Sequence, residues 1–141
     1  MPWSISPHLP EYTPQLRRIY LESRRKAFTW LNPATLALPD FDKAIAGEEV
    51  LVALHQHKPI GFIAWWPPDN FIHSLYINPA FVRQGVGLCL LQAGLARMGR
   101  PATLKCVQAN QAALAFYQSL GWAIKGSGCS TEVAYYLLTL D

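Results

Sequence analysis

Charge is scarce in this chain of 141 residues: Asp, Glu, Lys and Arg make up 15% of it, against about 25% in a typical soluble domain. Disorder requires many charges and little hydrophobicity, so a composition that is 51% hydrophobic argues against it. Long apolar runs are missing too. None approaches the roughly 18 residues of a membrane span, and the N-terminus lacks the basic start, apolar run and small-residue cleavage site of a signal peptide. The expectation is a cytoplasmic protein with no membrane partner. Only three cysteines occur, Cys89, Cys106 and Cys129, at wide spacings and without a CxxC pair. That argues against a zinc knuckle or a thioredoxin-like redox site and for reduced, mostly buried thiols. His55 and His57 alternate along a strand with no carboxylate or cysteine set around them, so no metal is expected. Repeats and low-complexity tracts are absent and the eleven prolines are dispersed. A single domain over 1–141 is expected, long enough to bury roughly two thirds of its extended surface.

What charge there is leans positive. Twelve basic residues against nine acidic ones give a net charge of +3. Nucleic-acid binding normally needs a concentrated basic stripe. The densest cluster, Arg17, Arg18, Arg24, Arg25 and Lys26, fits a solvated helix face equally well, and no nucleic-acid partner is expected. A mild positive balance suits a small anionic ligand.

The order of elements follows from hydrophobic period and breakers. Trp3 to Ile5 reads as a short strand. Thr13-Pro14 is an N-cap with proline at the first helical position, opening a helix over Pro14 to Phe28 with Leu16, Ile19, Tyr20, Ser23 and Ala27 at helical spacing. Asp40 caps a short helix over Phe41 to Ala46. Val50 to His57 and Pro59 to Trp66 form an antiparallel pair turning at His57-Lys58. Pro67-Pro68-Asp69-Asn70 breaks the chain before a strand over Phe71 to Ile77. Gly85 to Arg97 is helical, with Gly99 as its C-cap, although Gly94 weakens it by about 1 kcal/mol relative to alanine. A strand over Thr103 to Gln108 precedes a helix capped by Asn110 and ended by Gly121. Trp122 to Lys125 and Thr131 to Leu140 form a closing hairpin around Gly126-Ser127-Gly128. This is an α/β or α+β sandwich on a mixed sheet, with one parallel crossover late in the chain. It does not repeat the βαβ units of a doubly wound dinucleotide fold.

Arg83-Gln84-Gly85-Val86-Gly87 follows a strand and opens a helix. Glycines there let backbone amides and the helix dipole approach an anion, although the segment is neither a P-loop nor a full GxGxxG. It is entered by Phe71-Ile72-His73-Ser74-Leu75-Tyr76-Ile77-Asn78-Pro79. Farther on stands Asn110-Gln111-Ala112-Ala113-Leu114-Ala115-Phe116-Tyr117-Gln118-Ser119-Leu120-Gly121-Trp122. The two motifs, in this order, resemble the Gcn5-related N-acetyltransferase (GNAT) superfamily over about Phe71 to Trp122.

The resemblance implies a mainly antiparallel central sheet flanked by helices, with a splayed strand pair that admits the pantetheine arm of acetyl-CoA. It implies transfer of the acetyl group to an amine. The backbones of Leu75 and Ile77 would meet the acetyl and pantetheine portions, and Tyr76 between them is counted with the cofactor-binding residues. Arg83, Gln84, Gly85, Val86, Gly87 and Leu88 would hold pyrophosphate, Asn110 would position the cofactor arm, and Tyr117 would lie near the thioester sulfur. One departure stands out. The family commonly has arginine or glutamine where this chain has Val82, and Arg83 replaces the usual following glycine.

Amine attack on a thioester requires a neutral amine, a polarised carbonyl and a stabilised leaving thiolate. Tyr117 can supply the sulfur with a proton, or can simply be core beside Phe116. His73 is the base candidate, because regular alternation places it on one face with Leu75 and its usual pKa near 6.5 leaves it largely neutral at pH 7. It can equally contact substrate or serve structure. Glu22, Glu48 and Glu49 are alternative bases or amine-binding groups, and Glu22 lies on the early helix that shapes the acceptor pocket in the family. Arg24 or Arg25 can recognise an acidic acceptor. Phe62, Trp65, Trp66 and Phe71 can wall an acceptor pocket, form core or serve a dimer surface. Cys89 reads as a small buried helix residue. The expected partner is a small-molecule or peptide amine. A homodimer is compatible with the sequence, and no feature fixes it. Two other readings stay open: a non-catalytic acyl-CoA-binding or sensing module, and a structural interaction domain using the aromatic face.

Overall fold

The run Val50-Leu51-Val52-Ala53-Leu54 is apolar at every position rather than at alternate ones, so its strand must be covered on both faces. In the computed structural model, which describes residues 3–27, 32–130 and 133–141, these five residues are all buried in β2 (Glu49–His55). The first part of the chain forms β1 (Ser4–Pro7), α1 (Thr13–Ala27), α2 (Asp40–Ala44), β2, β3 (Lys58–Trp66) and β4 (Phe71–Ile77). The rest forms α3 (Val86–Leu95), β5 (Ala102–Val107), α4 (Gln111–Ser119), β6 (Ala123–Ser130) and β7 (Val133–Leu140). The end of the first expected helix, Phe28, lies outside the described residues. The seven strands make one sheet in the order β1-β2-β3-β4-β5-β7-β6. Every neighbouring pair is antiparallel except β4 and β5. The architecture is the expected mixed, mainly antiparallel sheet flanked by helices.

Each face of the sheet carries its own core. Leu16 and Ile19 of α1 and Phe41 of α2 pack on Val50, Val52, Phe62 and Ala64. On the opposite face Val86, Leu90 and Leu91 of α3 pack on Leu51, Ala53, Ile63, Trp65 and Ile72. Gly94 is placed by this second contact. A Cβ there would lie 3.0 Å from Ile63 Cδ1 and 3.6 Å from the Trp65 ring, so the glycine gives up helix propensity for close approach to β3.

Several boundaries differ from the sequence reading for identifiable reasons. The β2–β3 turn is Gln56-His57, with φ of 50° and 66°. Both residues are left-handed, as the twist of a two-residue hairpin demands, but neither is the glycine or asparagine that would have announced it. Helix α3 ends at Leu95 with Ala96 as its C-cap. Gly99 is instead a loop residue whose N–H donates to Asn70 Oδ1 at 3.1 Å. The expected turn at Gly126-Ser127-Gly128 is strand: β6 runs through it, with Gly126, Ser127 and Gly128 opposite Leu137, Tyr136 and Tyr135. A Cβ at Gly128 would sit 2.5 Å from the Tyr135 hydroxyl, so the glycine marks a close approach within the strand. The hairpin's turn falls outside the described residues.

Two irregularities of β4 position the site. Its ladder with β3 pairs Ala64 with Ser74 and Trp65 with Ile72, so His73 is the extra residue of a β-bulge. The bulge breaks the alternation expected from the sequence. Ile72, not His73, shares the α3 face with Leu75. On its other edge β4 pairs with β5 only at Phe71–Thr103 and Ile72–Leu104. Beyond Ile72 the two strands part.

Candidate active site

The parting of β4 and β5 opens a cleft of about 500 Å³. Its walls are β4 from Ile72 to Ile77, β5 from Leu104 to Val107, and Asn110, Ala113, Phe116 and Tyr117 around α4, with Ser23 and Lys26 of α1. Asn78 N–H donates to Ile60 O at 2.7 Å, next to the Gly61–Ile77 pair. By alternation Tyr76 turns its backbone groups to β3, while Leu75 and Ile77 turn theirs to the open edge. The Ile77 carbonyl accepts from Ser23 Oγ at 3.0 Å. The Leu75 and Ile77 backbones therefore face the cleft.

At one end of the cleft the chain enters α3. Arg83 and Gly85 adopt φ of 64° and 89°, a compact turn that aims the helix start at the opening. The first bond that closes the helix runs from Cys89 N to Gly85 O at 3.1 Å, so the amides of Val86, Gly87 and Leu88 have no intrahelical acceptor. Gly87 lines the cleft. A Cβ on it would meet nothing of the protein nearer than Ile77 Cγ1 at 3.9 Å, so the fold itself does not require the glycine. The missing side chain leaves open floor beside free amides, which fits a bound phosphate group. Arg83 and Gln84 are exposed at this turn, and Val86 is buried beneath it.

At the other wall Asn110 Oδ1 accepts from Ala113 N at 3.1 Å. This caps α4 and leaves the amide Nδ2 as a donor. Two turns further along stands Tyr117, its ring against Phe116 and Trp122 at centroid separations of 5.2 and 5.7 Å. Burial, with a smaller contribution from the Cys106 thiol, pushes its hydroxyl well above the usual tyrosine range. The group keeps its proton and is a donor. Tyr76 is pushed up in the same way, by burial and then by Tyr20. Cys106 lines the cleft as a thiol raised by burial.

His73 also lines the cleft, on a side chain about half exposed, and its Nδ1 is hydrogen-bonded to Glu48 Oε2. Glu48 is almost wholly covered, with 3% of its side chain accessible. Its other oxygen, Oε1, has no partner among the described residues. Two residues proposed for the acceptor are elsewhere. Glu22 is exposed and lines a separate hollow with Arg18, His55 and Lys58. Trp65 is core, 3% accessible, under α3. Arg24 is occupied, paired with Asp40 at 3.0 Å and stacked 3.9 Å over the Tyr20 ring. The thiols are mixed in setting: Cys106 buried, Cys89 half-buried, Cys129 exposed. No three His, Cys, Asp or Glu side chains among the described residues converge as a metal site would need.

Residues 13–122 match the model of the acetyltransferase (GNAT) family. The chain belongs to the GNAT family. Solved structures of similar fold extend the likeness over nearly the whole chain. Apo YjaB from Escherichia coli superposes with a TM-score of 0.82 at 20% identity, covering 99% of this chain and 97% of that one. The PaiA N-acetyltransferase of Thermoplasma acidophilum, solved with coenzyme A, gives 0.81 at 16%, covering 99% and 98%. YncA of Salmonella typhimurium, a structure with acetyl-CoA, gives 0.77 at 17%, covering 100% and 94%. At these identities the likeness establishes the fold. No curated protein sequence matches significantly.

Sequence reasoning missed two contributors to this GNAT cleft, Ser23 and Lys26, and the pairing of two residues it had named separately, Glu48 and His73. Ser23 had a signal, since it interrupts an otherwise apolar helix face. Lys26 had none, because a lysine at a helix end reads as solvated. Glu48 and His73 stand 25 positions apart, from either side of β3, and no local pattern joins them.

Proposed function

We propose that this chain is an acetyl-CoA-dependent N-acetyltransferase, moving an acetyl group directly to a primary amine of a small molecule or peptide. The observation that carries the reading is the parting of β4 from β5. The backbone edge of Leu75 and Ile77, unpaired with β5, lies in one cleft with a protonated Tyr117, and free amides at the start of α3 stand at its mouth. Family membership and the two relatives solved with coenzyme A and acetyl-CoA support it.

Each part of the site has a task in this reading. The Val86, Gly87 and Leu88 amides hold pyrophosphate oxygens. The open edge of β4 orients the pantetheine arm and polarises the thioester carbonyl. The amine nitrogen bonds to the carbonyl carbon as the C–S bond breaks. Tyr117 gives its proton to the leaving sulfur. The proton lost by the amine goes to His73 Nε2, directly or through one water.

The test is an acceptor screen: acetyl-CoA with panels of small amines and peptides, read by free-thiol release and product mass. Thiol release matched by a product one acetyl group heavier is expected. Acetyl-CoA binding without turnover on any amine would mark a binding module, and no acyl-CoA binding at all would overturn the reading.

A further inference from the structure

The mechanism above uses His73 but not the carboxylate behind it. Glu48 is nearly inaccessible, and its Oε1 has no partner among the described residues, which is costly for a carboxylate unless the contact it makes serves a purpose. We propose that Glu48 is a positioning residue for His73, fixing the tautomer that leaves Nε2 free to accept a proton in the cleft. The inference rests on the acetyltransferase reading for its catalytic meaning, but its geometry stands by itself.

Four observations carry it. A carboxylate only accepts, so a neutral His73 bonded to it must carry its proton on Nδ1. The lone pair is then on Nε2, the other ring nitrogen of a side chain that lines the cleft. The bulge at His73 turns the ring off the α3 face and onto the side where Glu48 enters β2. The ring packs on Phe71 at 4.6 Å between centroids, which limits its rotation. This is the logic by which a buried acid orients a catalytic imidazole in hydrolases, reached here across a sheet from Glu48 beside β2.

The contact crosses over β3 and holds a bulged residue, so removing the acid has a defined consequence. A neutral imidazole without a partner prefers the Nε2–H form. That form would present a donor instead of a base to the amine.

The test reads the tautomer of His73 from the 15N shifts of its ring in the full chain at about pH 8, where an ordinary histidine is neutral. His73→Gln identifies its signals. No acyl-CoA or amine is present, so the outcome is separate from whether the chain acetylates anything. The wild type is expected to be predominantly Nδ1–H. Glu48→Met, which keeps the bulk and removes the acceptor, should shift it to predominantly Nε2–H. Glu48→Gln, which keeps an acceptor oxygen, should restore at least part of the Nδ1–H form. Turnover on the amine panel should fall at least tenfold in Glu48→Met and less in Glu48→Gln, with acetyl-CoA KM little changed. An Nε2–H wild type, or an unchanged tautomer in Glu48→Met, would overturn the proposal. If Glu48→Met fails to fold, the wild-type tautomer and Glu48→Gln decide it.

Discussion

Tyr117 stays protonated because of where α4 puts it, half-buried against Phe116 and Trp122. In the proposed mechanism a donor of that kind acts on the leaving sulfur and contributes little to holding the rest of the ligand. Tyr117→Phe keeps the ring and removes the proton. Its turnover should drop by about tenfold to a thousandfold, within the range of general acid catalysis, while the acetyl-CoA Kd measured by calorimetry changes about twofold or less. An unchanged chemical rate would remove Tyr117 from the mechanism. The same burial has a stability consequence. Tyr76 and Tyr117 both hold their protons more tightly folded than the usual tyrosine value of about 10. Below that value the unfolded chain gains nothing by ionising, so stability from these groups is complete. Above it the unfolded chain releases the protons first, and stability falls as pH climbs toward the folded values. Urea unfolding between about pH 8 and 11 should show that decline, and the double variant Tyr76→Phe/Tyr117→Phe should flatten it. At this scale the sequence was legible where a residue belongs to a motif, as Asn110 and Tyr117 do. Glu48 and His73 were legible only as separate candidates, because a contact made across a neighbouring strand leaves no spacing to read.

Two glycines at the start of α3 do different work, and substitutions separate them. Gly85 has φ of 89° with no side chain closer than Trp3, at 4.0 Å from a built Cβ. Its constraint is conformational, and Gly85→Ala should cost roughly 1–2 kcal/mol in chemical denaturation. Gly87 is an ordinary helical residue whose Cβ position is empty. Gly87→Leu should fold with nearly wild-type stability yet bind acetyl-CoA at least tenfold more weakly. Normal binding by Gly87→Leu would place the phosphates elsewhere. Helices α1, α3 and α4 were legible because a 3.6-residue period is local, although the glycine expected to cap the end of α3, Gly99, lies in the loop beyond it. The bulge at His73 and the strand through Gly126-Ser127-Gly128 were not. Both depend on what lies opposite, Trp65 and Ala64 in one case and Tyr135 in the other. A glycine-serine-glycine run looks the same in a turn and in a strand closely approached by a tyrosine.

The whole sheet is continuous by hydrogen bonds, yet at its centre β4 and β5 share only two residue pairs. The cleft at that parting is lined from both strands and from α1 and α4, while one core cluster on the α3 face runs across it from β2 to β7, so a ligand there bridges the gap between the two strands. A ligand that binds only the folded, bridged state stabilises it by mass action, about 2.7 kcal/mol at a concentration a hundred times its Kd. At roughly 3 °C per kcal/mol for a domain near this size, acetyl-CoA should raise Tm by roughly 8 °C. Acetyl-pantetheine keeps the thioester and the arm but lacks the pyrophosphate. If the amides of Val86 to Leu88 and the net charge of +3 supply anion binding, its shift at equal concentration should be much smaller. The acetyl-CoA shift should also shrink as salt rises from about 50 to 500 mM, because screening weakens exposed charge contacts, and the acetyl-pantetheine shift should not. Equal shifts from the two ligands, both insensitive to salt, would mean that the start of α3 holds no phosphate, and that the low charge of this chain serves an apolar groove alone.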